Sequence, residues 1–197
     1  VLMTQITKLV IKGFKSFANK TEVVFGDGYN CVLGPNGSGK SNVLDAICFV
    51  LGKSSSKGLR AEKTANLIYN GGKKKNPAKD ASVEIFFDNI SEVFPVEGSE
   101  VKISRQVSQK GQSKYLINDK VSTRQQIIDL LSIARINPEG YNIILQGDIV
   151  RLTEMSTKER LKLVEEISGI SIYEEKKQKA LNELIKVEDR LKEADII

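Results

Sequence analysis

Eight consecutive residues, Gly34-Pro35-Asn36-Gly37-Ser38-Gly39-Lys40-Ser41, have the types and order that hold a phosphate. They fit G-x-x-x-x-G-K-[ST], the P-loop or Walker A pattern, at every fixed position. Glycines let successive backbone N–H groups curl round an anion with no Cβ in the way. A helix starting at the end of the loop adds partial positive charge at the same place. Lys40 then reaches the β- and γ-phosphates, and the Ser41 hydroxyl ligates Mg²⁺. An ordinary Gly-rich turn would have to produce the whole pattern by chance. The chemistry indicated is binding of a nucleoside triphosphate.

Both flanks suit that chemistry. Tyr29-Asn30-Cys31-Val32-Leu33 reads as a short buried strand leading into the loop. Residues 42–51 read as a helix with Val43, Ile47 and Val50/Leu51 on one face, ending near Gly52. Upstream, residues 6–11 and 21–25 read as strands joined by Phe14-Lys15-Ser16-Phe17. Downstream come a polar and basic loop over residues 54–63, containing Arg60, and a second loop over residues 70–80 with the run Lys73-Lys74-Lys75. Residues 81–88, 101–108 and 113–117 read as strands of one antiparallel sheet, and Asn118-Asp119 supplies a turn. Thr123 caps a helix carrying Ile127, Ile128, Leu130 and Leu131. A short strand over residues 142–145 delivers Gln146-Gly147-Asp148. The expected class is α/β, with a parallel P-loop core mixed with an antiparallel lobe.

Beyond residue 155 the pattern changes. Ser156-x-x-Glu159 is a capping box opening a long helix. Residues 167–172, with Gly169 inside, mark a break or bend. Tyr173, Ala180, Leu184, Val187, Leu191 and Ala194 then follow alternating spacings of four and three, interrupted only at Lys177. This is the a/d rhythm of a coiled coil, still running at Ile197, as expected of a truncated coil. An amphipathic helix packing on its own domain is the alternative. The expected organisation is a lobe over residues 1–155 and a helical exit with the start of a coil over 156–197.

With 197 residues, 40% of them hydrophobic, the chain can bury a sizeable core. No apolar run approaches a membrane span, and the first residues lack a signal-peptide layout. The two cysteines, Cys31 and Cys48, read as packed free thiols rather than a disulfide framework. Histidine is absent, which excludes His-based acid–base catalysis and His-ligated metals. Residues 1–150 hold 20 Lys and Arg against 14 Asp and Glu, a balance of +6, whereas residues 151–197 hold 10 against 11. A basic globular part makes a nucleic-acid partner plausible without proving one.

Several stretches together resemble the N-terminal half of the ATPase head of SMC (structural maintenance of chromosomes) proteins, in the ABC-type superfamily. They are Ile11-Lys12-Gly13-Phe14-Lys15-Ser16-Phe17, the P-loop with Ser41-Asn42 behind it, and Gly58-Leu59-Arg60-Ala61. Further on come Gly140-Tyr141-Asn142-Ile143-Ile144-Leu145-Gln146-Gly147-Asp148 and Ile167-Ser168-Gly169-Ile170. The resemblance runs from near Ile6 to near Lys177, and its Gly-Phe-Lys-Ser-Phe and Gln-Gly-Asp stretches point to the prokaryotic or archaeal chromosomal type. It implies an ABC-type lobe followed by the start of an antiparallel coiled coil. It further implies that Gly34 through Asn42 and Lys40 hold ATP, with Lys15 approaching the phosphates. Gln146 is implied to be the Q-loop glutamine, sharing Mg²⁺ with Ser41 and orienting the attacking water, work that suits an uncharged donor and acceptor. Arg60 falls at the arginine-finger position, and residues 63–69 at the region near the adenine.

The resemblance also implies partners: the C-terminal head lobe of the same protein, a second head in a homodimer, a kleisin-type accessory subunit, and double-stranded DNA bound without sequence preference. The setting it implies is cytoplasmic and nucleoid-associated, with a role in chromosome condensation and segregation. The sequence holds no Walker B run ending in Asp-Glu and no Leu-Ser-Gly-Gly signature, so turnover by this chain alone is expected to be little or none. Three alternatives stand at this point: a zinc-hook coiled-coil repair ATPase, a self-contained P-loop NTPase, and a structural coiled-coil protein with an idle P-loop.

Overall fold

A computed structural model describes residues 4–53, 59–72, 76–138, 143–145, 148, 154–167 and 170–195. The chain divides into two units, residues 1–142 and 143–197, each described by itself.

The first unit is built on six strands: β1 (Ile6–Lys12), β2 (Thr21–Val24), β3 (Asp80–Asp88), β4 (Glu100–Ser108), β5 (Ser113–Ile117) and β6 (Lys120–Ser122). Their spatial order is β2-β1-β3-β4-β5-β6, and all five pairings are antiparallel. Period-two alternation explains β3: Ala81, Val83, Ile85 and Phe87 are buried, while the residues between them are half-buried. Register then places Leu9 and Ile103 on either side of Ile85, and Ile11 and Arg105 on either side of Val83. The face so formed packs against α1 (Lys40–Val50), which contacts β3 and β4. The second helix of the unit, α2 (Arg124–Ile133), buries Ile127, Leu130 and Leu131 and is opened by a reciprocal capping box between Thr123 and Gln126. Between β5 and β6, Asn118 and Asp119 both take positive φ (46° and 64°), as a tight two-residue hairpin turn demands.

One position on the α1-facing side breaks the apolar rule. Arg105 is buried, with its guanidinium over the rings of Phe49 (4.2 Å) and Tyr115 (4.9 Å). Its Nη1 donates to the carbonyls of Phe49 (2.9 Å) and Lys53 (3.2 Å), at the C-terminal end of α1 where helix carbonyls lack partners. Nε and Nη2 donate to Ser113 Oγ. Burial pushes this guanidinium below its ordinary pKa, an effect opposed by Tyr115 and reinforced by Arg124. Burial likewise pushes the Tyr115 phenol up, against the lowering effect of Arg105 and Arg124. Arg124 Nε donates to Gly52 O at 2.7 Å, so two arginines close the same helix end.

The antiparallel part of the expected fold is present, with each strand within a residue or so of its sequence boundary. The strand expected over residues 29–33 is not formed. Tyr29, Val32 and Leu33 are exposed (94%, 47% and 84%), and no strand lies beside them among the described residues. An isolated extended segment has nothing to pair its backbone with, whatever its apolar content. Cys31 accordingly is exposed rather than packed, while Cys48 is buried as expected. No parallel pair occurs among the described residues.

In the second unit, residues 143–145 carry no strand, contrary to expectation; the Leu145 N–H goes to the Asp148 carboxylate (2.8 Å) instead of a neighbouring strand. The residue-142 end of that segment lies outside the described residues. Helix α3 (Thr157–Ile167) opens on the expected capping box, with Ser156 N–H donating to Glu159 Oε2 (2.8 Å) and Glu159 N–H to Ser156 Oγ (3.4 Å). Helix α4 (Ile170–Asp195) follows; the break expected near Gly169 falls between the two, at residues outside the description. The whole four-and-three seam lies in α4, a helix about 39 Å long at 1.5 Å per residue. Leu184, Val187 and Leu191 of that seam are exposed, as are Leu181 and Ile185.

Candidate nucleotide-binding site

The site assembles around the first two turns of α1. Gly39, at φ 96°, turns the loop into the helix, and Lys40 is its first residue. A Cβ on Gly39 would lie 2.7 Å from Ser16 Oγ, so glycine is needed both for conformation and for the close approach of the β1–β2 connection. Ser16 Oγ accepts from Asn42 Nδ2 at 2.8 Å, fixing that connection to the helix start. Gly34, Pro35, Asn36, Gly37 and Ser38 are exposed, and Gly37 takes φ 80° with open space around it. Lys40 folds back over the loop, its Nζ donating to the carbonyls of Gly34 and Pro35, both at 2.7 Å. The exposed Ser41 sits at the second helical position, where a backbone N–H lacks a helical partner.

Lys15 reaches the helix by a different route. Gly13 takes φ 62° where a Cβ would meet Asp80 O at 2.3 Å, and the turn it makes sends Phe14 into the core. Phe14 packs on Phe49 with ring centroids 5.1 Å apart. Lys15 N–H donates to Leu67 O (2.7 Å) and Tyr69 N–H to Gly13 O (2.8 Å), tying this turn to the 3₁₀ segment Thr64–Leu67. Asp45 and Phe49 are one helical turn apart on one face. The adjacent pair Phe14-Lys15 therefore meets the pair Phe49 and Asp45, ring on ring and cation on carboxylate.

Asp45 is the residue that sequence reasoning missed. It is buried on the core side of α1, and its carboxylate takes two cations at once. Lys15 Nζ donates to Oδ2 and also to Leu59 O at 2.6 Å. Arg60 Nη2 donates to Oδ2 and Nε to Oδ1 (3.3 Å), while Nη2 also reaches Ser41 O at 2.8 Å. Lys15 and Arg60 both have positive φ (46° and 52°), a conformation that costs a non-glycine residue about 1–2 kcal/mol. Strain of this kind persists where surrounding bonds fix it and gathers at functional sites. A signal was available: an Asp inside the apolar stripe of the P-loop helix, in a chain with two cations already assigned to the same site.

Of the residues expected at the site, the structure brings together Lys15, Gly34 to Asn42 and Arg60. Gln146 lies outside the described residues, as does the Lys73-Lys74-Lys75 run. No group of three or more His, Cys, Asp or Glu suited to a metal occurs among the described residues. The donor set at the loop is instead the exposed Ser41 hydroxyl, a hard oxygen next to Lys40. That chemistry fits a Mg²⁺ ion held mainly by phosphate oxygens and water.

The chain is similar to known proteins over most of its length. The family model for the RecF/RecN/SMC N-terminal domain matches residues 5–185. The chromosome partition protein Smc of Pyrococcus furiosus is 47% identical over 99% of this chain, which spans 17% of that relative's length. The Pyrococcus furiosus Smc head domain with an extended coiled coil, bound to the C-terminal domain of ScpA, superposes with a TM-score of 0.83 at 47% identity, over 98% of this chain and 49% of that one. A structure from work on ATP-driven dimerization and DNA-stimulated activation of SMC ATPases gives a TM-score of 0.77 at 45% identity, over 82% of this chain and 98% of its own. The chain thus spans about a sixth of the curated relatives it matches. Matched by that family model over residues 5–185, most of its length, the chain belongs to the RecF/RecN/SMC N-terminal domain family.

Proposed function

We propose that this chain is the ATP-binding half of an SMC head, which hydrolyses ATP together with a C-terminal lobe and a second head to organise chromosomal DNA. The observation that carries the reading is the loop Gly34–Ser41 opening directly onto α1, with Lys40 over it and Arg60 bonded to the backbone of Ser41. Backbone N–H groups of the loop and helix N-terminus bind the phosphates, and Lys40 exchanges neutral carbonyl acceptors for charged phosphate oxygens, a stronger pairing. Ser41 holds Mg²⁺, which when bound neutralises charge on the β- and γ-phosphates. Gln146 completes the metal site and orients water, and Arg60 stabilises charge as the γ-phosphoryl leaves.

The exposed apolar segment around Tyr29 and Leu33 supports docking of a second lobe beside the P-loop. Exposed seam residues of α4 support pairing with a returning helix. A kleisin-type subunit is supported by the ScpA-bound relative. A homodimer of heads and nonspecific DNA binding are supported by the relative studied for ATP-driven dimerization and DNA-stimulated activation. No described helix is long and apolar enough to cross a membrane. The repair and self-contained alternatives have no observation in their favour.

The test is titration calorimetry with ATP and Mg²⁺. Lys40→Ala is expected to weaken binding by about 100-fold or more, the loss of a charge-assisted contact to the phosphates. Unchanged affinity would refute the P-loop assignment.

A further inference from the structure

We propose that Asp45 is the positioning residue for Arg60: it aims the guanidinium at the P-loop through a shared ion pair with Lys15. The proposal rests on the reading of Gly34–Ser41 and Arg60 as a triphosphate site. Its own basis is the geometry around one carboxylate. Asp45 is 3% exposed at its side chain and Lys15 13%, whereas Arg60 is 50% exposed. Lys15 alone neutralises Asp45 and is anchored a second time on Leu59 O. The buried pair is therefore fixed and electrically balanced without Arg60.

Arg60 is added to a carboxylate that already has its cation, so the cluster carries one surplus positive charge. Its Nε and Nη2 spread over both carboxylate oxygens, a two-point contact that fixes the plane of the guanidinium. The third contact, Nη2 to Ser41 O at 2.8 Å, sets that plane against the backbone of the residue assigned to Mg²⁺. Half of the side chain stays exposed beside that contact. Both cations reach Asp45 from backbones held at positive φ, and Leu59, the residue before Arg60, is buried. The approach path of each is thus set by the fold rather than by side-chain choice.

A carboxylate that served only to satisfy Lys15 would predict a different outcome from one that orients Arg60. The experiment is a double-variant cycle in the complete protein that carries this chain, reading kcat and KM for ATP with thermal denaturation alongside. Asp45→Asn is expected to lower kcat by roughly 10- to 100-fold, as misplacement of a catalytic group by about an ångström does, with KM within about threefold. Arg60→Ala is expected to lower kcat at least as far. In the Asp45→Asn/Arg60→Ala double variant, kcat is expected to equal that of Arg60→Ala alone.

Multiplied losses in the double variant, or Asp45→Asn with unchanged kcat beside a slow Arg60→Ala, would overturn the proposal and leave the site reading intact. Unchanged turnover in Arg60→Ala overturns the role of Arg60 and the proposal together. If Asp45→Asn does not fold because Lys15 is left buried without its counter-ion, Lys15→Met/Asp45→Asn removes the pair as a unit. Its loss of kcat is expected to vanish in the Arg60→Ala background in the same way, and persistence of that loss counts against the proposal.

Discussion

Lys40, Lys15 and Arg60 bring three positive charges to the first half of α1, yet among the described residues Lys40 alone of the three has no carboxylate partner and is bonded to neutral carbonyls. That difference separates a group waiting for an anion from groups oriented by one already present. Close packing constrains Gly39, where the loop enters the helix. Gly39→Ala meets both a positive φ and Ser16 Oγ at 2.7 Å, so it is expected to weaken ATP binding by at least about tenfold. Adding Ser16→Gly to Gly39→Ala removes the collision but not the backbone strain, and calorimetry should show a partial recovery. Full recovery would mean that the φ of Gly39 does not matter. The loop itself was legible because its function demands fixed residue types at fixed spacing. Asp45 left only the signal of an acid in an apolar stripe, and what it does becomes visible only when β1–β2 and the Leu59-Arg60 segment converge on it from sequence positions 30 and 15 residues away.

Helix α1 is held at both ends by cations from elsewhere in the chain: Lys15 and Arg60 near its start, Arg105 and Arg124 at its close. The C-terminal clasp places a guanidinium against the negative end of the helix dipole and between two aromatic rings. Arg105→Met keeps volume and contact with Phe49 but leaves the carbonyls of Phe49 and Lys53 without this donor. It is expected to destabilise the protein by about 2–4 kcal/mol, read from the midpoint shift in urea unfolding. Arg105→Lys should recover only part, lacking the planar fork and the ring stacking. A midpoint unchanged in Arg105→Met would contradict the clasp. Strand β3 was readable from its alternation, because one face lies on the core, and β1 from the apolar run Leu9-Val10-Ile11, which is buried throughout. The three residues of β6 are too few to show a period. Residues 29–33 were misread for a physical reason: Tyr29, Val32 and Leu33 are residue types suited to burial, but what they would be buried against is not among the described residues.

At the scale of the whole molecule, the proposed function is a division of labour, in which this chain would bind and orient the nucleotide and a second lobe would supply the carboxylate that activates water. DNA contact by this part should be weak and sequence-indifferent, with affinity falling steeply between about 50 and 200 mM salt, because its basic excess acts on phosphates. Affinity insensitive to salt in a binding titration would argue against that mechanism. The expectation of a divided site came from the absence of an Asp-Glu run in 197 residues, and the α4 seam was legible in its four-and-three spacing, whereas the exposure of Tyr29 and Leu33 needed a structure. The measurement that bears most directly on the account is steady-state phosphate release from the purified chain, with and without the C-terminal half added. The account predicts near-background release from the chain alone, substantial release once the second half is present, and loss of that gain in Lys40→Ala. Robust hydrolysis by the chain alone, abolished by Lys40→Ala, would contradict it.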